Sequence, residues 1–350
     1  MKPVLKSKPY HQYLFIFLIQ LAFAFVIIIY SNFKKDVIIT SDCSASLLTS
    51  QKEVDFVVLL WTWPFGAQFP LNECKKPFNT PRCYMTANRS WYSRADAVIF
   101  HHRDVCESRN HMPQIPRPEG QYWLWFNLES PSNSPNLSYM DNLMNLTMSY
   151  RSDSDIFSPY GWLQKKDFSH NFTIPKKSKL VAWVISNWNP QSKRVQFYKT
   201  LKKHINIDVY GRQHLPLDVE SRNTVISQYK FYLAFENSLH KDYISEKLWR
   251  NALLSGTVPI VLGPPRENYE RFIPSDSFIH VDDFPSAKEL ADCLLELNEN
   301  SQKYEQYFSW RTKLSPVGNI HYTAHYCRAC VALHKAPSYR TLPHLSKWYT

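Results

Sequence analysis

The chain has 350 residues, of which 44% are hydrophobic and 15% aromatic, so one large or two medium-sized domains with real cores are expected. The formal net charge is +11, but the lysines and arginines are scattered, which excludes the long basic run of a nucleic-acid-binding tail. The charge fits a basic groove for an anionic small molecule equally well, and it also fits a generally basic surface.

An apolar segment near the N-terminus predicts a membrane anchor. Residues 13–30 contain no charge and span roughly 27 Å as a helix, enough for a thin bilayer. Lys2, Lys6 and Lys8 precede the segment, which favours a cytoplasmic N-terminus. A cleaved signal peptide is the alternative, but the site that follows is a poor cleavage site. We therefore expect a cytoplasmic tail (1–12), a transmembrane signal anchor (13–30) and a polar stem (31–53).

Sequons and cysteines agree with a lumenal or extracellular location for the remaining residues. N-glycosylation sequons begin at Asn88, Asn136, Asn145 and Asn171. The chain has seven cysteines, and in an oxidising compartment most of them should be paired. The CxxC motif at Cys327 is weak evidence for zinc because no second CxxC accompanies it, so a disulfide is the better interpretation.

Three apolar strands are predicted in the first half of the chain, and each ends abruptly in polar residues. They cover residues 54–61, 95–102 and 121–130. Glu129 lies at the exit of the third strand. A carboxylate in that position is expected at the rim of the sheet, where ligands bind.

The second half of the chain alternates strands with helices. Strands are predicted at 179–187, 205–211, 231–235 and 256–263, and helices at 192–204, 244–254 and 286–297. Gly256 is the predicted C-cap of the second helix, and Ser286 with Glu289 forms a capping box for the third. The alternation predicts two α/β units with parallel sheets, joined near residues 165–180.

Seven polar residues are crowded between the strand at 231–235 and the body of the helix that follows. They are Glu236, Asn237, Lys241, Asp242, Tyr243, Glu246 and Lys247. A helix N-terminus beyond the carboxyl end of a strand suits a phosphate, and Lys247 adds a positive charge there. Glu246 suits a ribose diol, and Tyr243 suits a sugar or a base. The spacing alone fits a solvated helix start equally well.

This region closely resembles the signature of the animal α-1,3-fucosyltransferases, Golgi enzymes that use GDP-fucose. The resemblance continues through "WTWPFG", "ADAVIFHHRDV", "NLESPSNSP", "YRSDSDIFSPYGWL", "VAWVISNWNP" and the C-terminal "CRAC". It implies the GT-B fold, with two facing Rossmann-like domains. The implied boundaries are an acceptor domain (54–170), a GDP-fucose domain (171–315) and a tail (316–350) that packs back on the acceptor domain. It also implies a single-pass type II protein of the Golgi membrane.

The resemblance implies an inverting transfer, in which one base activates the acceptor hydroxyl and cations stabilise the departing diphosphate. The family pattern assigns the base to Glu129. It assigns donor binding to Tyr160, Ser186, Asn187, Arg194, Asn237, Tyr243, Glu246 and Lys247, and acceptor binding to Gln68, His102 and Arg103. Arg103 stands where α-1,3-specific members carry Arg, so Lewis x or sialyl Lewis x type products are expected. Ala67 stands where the family often has Gln, which leaves the fine acceptor specificity open.

Two further motifs have competing interpretations. Asp153 and Asp155 form a DxD motif, but Arg194 and Lys247 already meet the phosphate charge, so we expect no required metal and at most a stimulation by Mn²⁺. In the family Cys74, Cys83, Cys327 and Cys330 are paired, either across the chain or locally. Cys43 in the stem offers a link between two chains of a homodimer.

Two alternatives to this enzyme remain at the level of the sequence. One is the same scaffold acting on a different acceptor glycan. The other is a membrane-anchored glycan-binding protein without activity, which the presence of Glu129, Arg194 and Lys247 disfavours. A nucleic-acid partner is not expected, because an anchored and glycosylated chain does not meet DNA.

Overall fold

The computed structural model describes residues 56–71, 74, 83–168, 172–318, 322–335 and 338–350. The predicted tail, anchor and stem lie outside these residues, and so do Cys43 and the sequon at Asn171. Within the described ranges, none of the helices combines the length and the hydropathy needed to cross a bilayer.

The described residues contain thirteen strands. They are β1 (Phe56–Leu60), β2 (Cys83–Thr86), β3 (Ala97–His101), β4 (Tyr122–Asn127), β5 (Leu146–Ser149), β6 (Ile156–Phe157), β7 (Gly161–Lys165), β8 (Lys179–Val184), β9 (Ile207–Tyr210), β10 (Tyr229–Phe235), β11 (Val258–Leu262), β12 (Ile279–His280) and β13 (Leu314–Gly318).

The helices of the described residues are mostly short. The α-helices are α1 (His102–Val105), α2 (Lys193–Leu201), α3 (Arg222–Ser227), α4 (Arg266–Glu270), α5 (Ala287–Glu299), α6 (Ser301–Gln306), α7 (Tyr322–Leu333) and α8 (Leu345–Tyr349). Lys247–Leu253 is a π-helix. The 3-10 turns are Pro64–Gly66, Arg89–Arg94, Arg109–His111, Pro131–Asn133, Leu137–Met140, Val281–Asp283 and Ser309–Thr312.

The strands form two separate parallel sheets, which confirms the prediction from the strand–helix alternation. The first sheet has the order β2-β1-β3-β4-β5-β6 and the second has the order β12-β11-β10-β8-β9. All pairs within both sheets are parallel. A small antiparallel pair, β7 with β13, connects the two halves of the chain. The strands β2, β5, β6, β7, β12 and β13 are not among the sequence predictions.

The centre of the second sheet is buried on both faces, as the uninterrupted apolar run of β10 predicts. Residues 231–235 are at most 1% exposed. One face packs against α2 and α5, and the other packs against the π-helix. Side chains of a strand alternate between the two faces, so only a strand covered on both sides requires every position to be apolar.

The helix predicted at 244–254 begins later in the structure and has π geometry. Its first residue is Lys247, because the N–H and hydroxyl of Ser245 donate to the carboxylate of Glu236 at 2.8 Å each and hold the preceding backbone outside the helix. Gly256 has a φ of +65°, which is the left-handed conformation expected of the predicted C-cap.

The C-terminal residues of the chain cover both faces of the first sheet. Helix α7 packs on one face, and two disulfides, Cys74–Cys327 and Cys83–Cys330, attach it there. Helix α8 packs on the other face, where the rings of Trp125 and Tyr349 meet edge-on with centroids 4.6 Å apart. An aromatic pair of this geometry contributes about 0.5–1.5 kcal/mol beyond its area of burial. The pairing across the chain was one of two possibilities that the sequence left open.

The described sequons differ in exposure. Asn88 and Asn136 are exposed, whereas Asn145 is fully buried. The amide nitrogen of Asn145 donates to the carbonyl of Arg340 at 2.5 Å, and its amide oxygen accepts from the N–H of Trp123 at 2.7 Å. A glycan on Asn145 therefore does not fit this structure, because the side chain serves as a buried link between strands and the C-terminal segment.

Candidate active site

The polar ends of the strands from both sheets meet at one open cleft of about 590 Å³. The side of the first sheet contributes Phe65, Arg103 and Glu129 together with residues 131–135, and the side of the second sheet contributes Asn187 and Asn237. Carboxyl ends of parallel strands are the usual ligand-binding edge of such sheets. The cleft thus collects predicted catalytic, donor-side and acceptor-side residues from five separate stretches of the chain.

The backbone around Glu129 is fixed from several directions. The N–H of Glu129 donates to the amide oxygen of Asn127 at 3.1 Å, and its carbonyl accepts a hydrogen bond from the hydroxyl of Tyr349. The neighbouring carbonyl of Leu128 accepts from the hydroxyl of Tyr160 at 2.6 Å. Glu129 lies just beyond β4, which ends at Asn127, so these contacts rather than the sheet hold its backbone in place.

The environment of Glu129 suits proton abstraction. Burial raises the pKa of the carboxyl group, and the nearby charge of Lys247 opposes that shift. A carboxylate with a raised pKa is a stronger base than one in water, and it stays within reach of the cleft.

Lys247, the predicted phosphate contact, is held between two carboxylates. Its amino group lies 3.1 Å from Glu236 and 3.1 Å from Glu246, and it donates to the hydroxyl of Ser245 at 2.7 Å. Burial alone would lower the pKa of Lys247, but the two carboxylates outweigh burial and raise it. Lys247 is therefore protonated at neutral pH, and Glu236 and Glu246 balance its charge when no anion is bound.

The two carboxylates differ in exposure. The side chain of Glu236 is 1% exposed, and burial raises its pKa against the opposing effect of Lys247. The side chain of Glu246 is 42% exposed, and Lys247 lowers its pKa in spite of burial. Glu246 is thus the carboxylate that remains available to a ligand hydroxyl, whereas Glu236 is committed to the protein interior.

Arg194 supplies a second cation on the same side. It lies in the first turn of α2, is 6% exposed, and its guanidinium donates to the carbonyl of Asn187 at 2.7 Å. Its buried Nε atom has no hydrogen-bond partner among the described residues. Burial lowers the pKa of Arg194, and the charges of Glu236 and Glu246 oppose this. An incompletely bonded guanidinium beside Asn187 is suited to bind an anion.

The remaining donor-side predictions are placed differently. Ser186 is exposed at the end of its strand, and Asn237 lines the cleft. Tyr243 is only 2% exposed, and its ring packs on Tyr150 with centroids 5.1 Å apart. In this conformation Tyr243 belongs to the packing beneath the cleft and does not offer an open stacking surface.

The three predicted acceptor residues separate in the structure. Arg103 is half-buried and lines the cleft with Glu129, and Gln68 is exposed outside the lining. His102, predicted to bind the acceptor, is fully buried and is not among the residues that line the cleft. Its ring bonds the carbonyl of Pro135 at 2.8 Å and the indole N–H of Trp125 at 3.1 Å. Burial lowers the pKa of His102 to about 4, so it is a neutral support for the cleft wall.

The DSD segment, residues 151–155, engages both of its carboxylates within the protein. Asp153 accepts two hydrogen bonds from Arg151, at 2.9 and 2.8 Å, and pairs with Lys241 at 3.0 Å. Asp155 accepts from the N–H and hydroxyl of Thr147 at 2.7 and 2.8 Å. No group of three or more His, Cys, Asp or Glu residues in the described part of the chain is arranged to hold a metal ion.

Sequence reasoning gave no role to two residues that the structure places at the site. Glu236 follows an all-apolar strand directly, and the same signal singled out Glu129, so its importance could have been found. Phe65 is 58% exposed at the cleft with a φ of 52°, and its ring contacts His101 with centroids 4.8 Å apart. No sequence pattern indicates that left-handed conformation for a phenylalanine.

Two protein-family models together match most of the chain. The model described as glycosyltransferase family 10 (fucosyltransferase) C-term matches residues 174–348. The model described as fucosyltransferase, N-terminal matches residues 53–161.

Curated relatives are about half identical to the chain. The 3-galactosyl-N-acetylglucosaminide 4-α-L-fucosyltransferase FUT3 of Bos taurus is 51% identical, over 83% of this chain and 81% of its own length. The 4-galactosyl-N-acetylglucosaminide 3-α-L-fucosyltransferase FUT6 of Pongo pygmaeus is 50% identical, over 84% and 83%. The 4-galactosyl-N-acetylglucosaminide 3-α-L-fucosyltransferase FUT5 of Homo sapiens is 47% identical, over 89% of this chain and 84% of its own length.

Solved structures agree at the level of the fold. A crystal structure of an α1,3-fucosyltransferase matches with a TM-score of 0.54 and 20% identity, covering 83% of this chain and 92% of that chain. The structure of an α1,3-fucosyltransferase with GDP-fucose matches with a TM-score of 0.52 and 20% identity, covering 85% and 96%. The two parallel sheets therefore have a GT-B-like α/β arrangement.

Proposed function

Because the chain belongs to glycosyltransferase family 10, the fucosyltransferases, we propose that it transfers L-fucose from GDP-β-L-fucose to the 3-hydroxyl of GlcNAc in N-acetyllactosamine-type glycans. The product would carry an α-1,3-linked fucose, as in Lewis x and sialyl Lewis x. Names of the similar proteins include both 3-α- and 4-α-fucosyltransferases, so the family alone does not select the linkage.

One observation carries the proposal. Glu129 and the predicted donor residues Asn187 and Asn237 line the same cleft. Arg194 donates to the carbonyl of Asn187, and Lys247 is near enough for its charge to act on Glu129. An inverting transfer needs a base on one side of the sugar and charge stabilisation of the leaving diphosphate on the other.

The roles of the residues follow from that geometry. Glu129 takes the proton of the acceptor hydroxyl while that oxygen attacks the anomeric carbon of fucose and the bond to the diphosphate breaks. Lys247 and Arg194 stabilise the negative charge that develops on GDP. The exposed carboxylate of Glu246 accepts hydrogen bonds from the ribose hydroxyls. Displacement from the opposite face converts the β-linked donor into an α-linked product.

Arg103 supports the choice of the 3-hydroxyl. It is half-buried and faces the cleft near Glu129, where an acceptor must lie. In Galβ1-4GlcNAc the 4-hydroxyl is occupied by galactose, which leaves the 3-hydroxyl free for a base. A guanidinium gives several fixed hydrogen-bond donors for acceptor hydroxyls.

An acceptor assay with the purified full-length chain in detergent tests the proposal. We expect release of GDP from GDP-fucose to depend on an added acceptor, with Galβ1-4GlcNAc preferred over Galβ1-3GlcNAc and a 3-linked product by NMR. Sialylated and unsialylated forms should be compared in the same panel. A 4-linked product would contradict the assignment of the linkage, and the absence of acceptor-dependent GDP release from a well-folded chain would favour a glycan-binding protein.

Chelation is expected to leave turnover largely intact. The diphosphate charge is met by Arg194 and Lys247, and the carboxylates of Asp153 and Asp155 are engaged by Arg151, Lys241 and Thr147. Initial rates should be measured after dialysis against EDTA and again after Mn²⁺ is added. A modest stimulation by Mn²⁺ is compatible with this, whereas complete loss of activity that Mn²⁺ restores would assign the DSD segment to a metal.

We propose a single-pass type II topology in the Golgi membrane, with the anchor at residues 13–30 and the catalytic part in the lumen. Support comes from the apolar segment, the preceding lysines and the two disulfides of the structure. We also propose acceptor binding by residues 54–170 and donor binding by residues 171–315, because each range contains one of the two sheets.

A further inference from the structure

The polar loop, residues 236–246, contacts the opposite half of the molecule at several points, and the contact at Asp242 is the most deeply buried of its hydrogen bonds to that half. The backbone N–H and the hydroxyl of Ser152 both donate to one carboxylate oxygen of Asp242, at 2.9 and 2.7 Å. Ser152 belongs to the DSD segment of the first half, whereas Asp242 lies 90 residues further along the chain. The side chain of Asp242 is fully buried by this contact and its neighbours.

Residues of α4 and its C-terminal end complete the contact from the second half. The amide group of Asn268 donates to Asp242 at 2.7 Å and accepts from the N–H of Asp242 at 2.8 Å. Arg271 donates to the other Asp242 oxygen at 3.1 Å and to the hydroxyl of Ser152 at 2.7 Å. Arg271 therefore contacts both Asp242 and Ser152, and Ser152 is the residue through which this network reaches the first half of the molecule.

The backbone of Asp242 is in the left-handed conformation, with a φ of 61°. Among residues with a Cβ, Asp and Asn tolerate this conformation best. The turn therefore needs a short polar side chain, and the network around Asp242 keeps that turn in place.

The DSD segment also reaches the base. Arg151 pairs with Asp153, which binds Lys241 of the polar loop, and Arg151 donates to the carbonyl of Tyr349 at 3.1 Å. The hydroxyl of Tyr349 in turn donates to the carbonyl of Glu129. One short segment thus contacts the loop that precedes Lys247 and the residue that holds the backbone of Glu129.

We propose that Ser152 and Asp242 are positioning residues that latch the polar loop against the DSD segment in the conformation that receives the nucleoside diphosphate. This inference rests on the proposed function, and it gives the DSD segment a role that needs no metal ion. The loop leads directly into Glu246 and Lys247, so its conformation sets where the carboxylate and the ammonium group stand. If the latch is lost, the competent loop conformation is less populated and donor affinity falls by that fraction.

The test compares Ser152→Ala, Asp242→Asn and the double variant in the full-length chain. We expect each single variant to raise the KM for GDP-fucose and the Kd for GDP about tenfold, while kcat at saturating donor and the acceptor KM change less than twofold. The loss in the double variant should be smaller than the sum of the two single losses, because Ser152 and Asp242 share the hydrogen bond between their side chains. Ser152→Thr, which restores a hydroxyl, should recover part of the affinity.

Ser309→Ala is the matched control, because it removes a serine–aspartate hydrogen bond of 3.1 Å that lies on the exposed surface, from Ser309 to Asp276. It should leave both constants unchanged. Unchanged GDP affinity in Ser152→Ala and Asp242→Asn, or additive losses in the double variant, would overturn the latch. Titration of GDP by calorimetry does not depend on turnover, so a wild-type chain that binds GDP without transferring fucose would contradict the proposed function and leave this test intact.

Discussion

Glu129→Gln is expected to abolish fucose transfer while leaving the affinity for GDP nearly unchanged. The substitution keeps the size of the side chain and the backbone contacts of residue 129 with Asn127 and Tyr349, but the amide cannot accept the proton of the acceptor hydroxyl. Removal of a general base typically costs 10²–10⁴-fold in rate, or about 3–5 kcal/mol of transition-state stabilisation. The measurement is kcat with saturating donor and acceptor, beside GDP binding by calorimetry.

The same variant should keep its fold. Burial raises the pKa of Glu129 above its ordinary value, so the folded state holds the proton more tightly than the unfolded chain does. At neutral pH the ionised carboxylate therefore costs stability, and its replacement by Gln should leave the melting temperature equal or slightly higher. A lowered melting temperature would indicate that the loss of activity comes from damage to the fold.

The pH profile of the wild-type enzyme gives independent support. The proposed role of Glu129 as a base requires its ionised form, so kcat/KM is expected to fall as the pH drops through a pKa that burial raises above the ordinary value of a glutamate. Glu107→Gln is a suitable control for Glu129→Gln, because it removes an exposed carboxylate in the same half of the molecule. Retained turnover in Glu129→Gln would exclude Glu129 as the base.

Lys247→Ala is expected to weaken use of the donor by about 2 kcal/mol or more, roughly 30-fold, because a charge-assisted contact with phosphate is lost. The structure adds a second consequence. Glu236 is 1% exposed and would lose the cation that lies 3.1 Å away. Breaking a buried ion pair by removing one partner costs about 3–5 kcal/mol. The single variant should therefore be less stable as well as less active.

A double variant separates these two effects. Lys247→Met combined with Glu236→Gln removes both charges and keeps side chains of similar length, so its melting temperature should return toward that of the wild type. GDP affinity and the KM for GDP-fucose should still be impaired, because the phosphate contact is absent. Glu236→Gln alone keeps the ammonium group and serves as the control. Normal donor affinity in the double variant would contradict the assignment of Lys247 to diphosphate binding.

The local pattern of the sequence determined the central strands of the two parallel sheets and the edge at which ligands are expected. Uninterrupted apolar runs such as residues 231–235 specify strands covered on both faces, since an alternating strand would have sufficed for a sheet with one wet face. Their polar exits place Glu129 and the polar loop at the ligand-binding edge, and the motifs specify the family. These signals are readable because they depend on neighbours within about ten residues along the chain.

Only the tertiary structure decided which distant side chains share an environment. Cys74 forms a disulfide with Cys327, 253 residues away, and Ser152 donates hydrogen bonds to Asp242, 90 residues away. His102 and Asn145 are buried, although their motifs suggest exposure. Burial and the proximity of charges arise when separate segments meet, and no local propensity encodes them. The Glu236–Lys247 pair shows this most directly. Both residues stand in the same short polar stretch, yet only the fold makes Glu236 a buried counter-ion 3.1 Å from the ammonium group of Lys247.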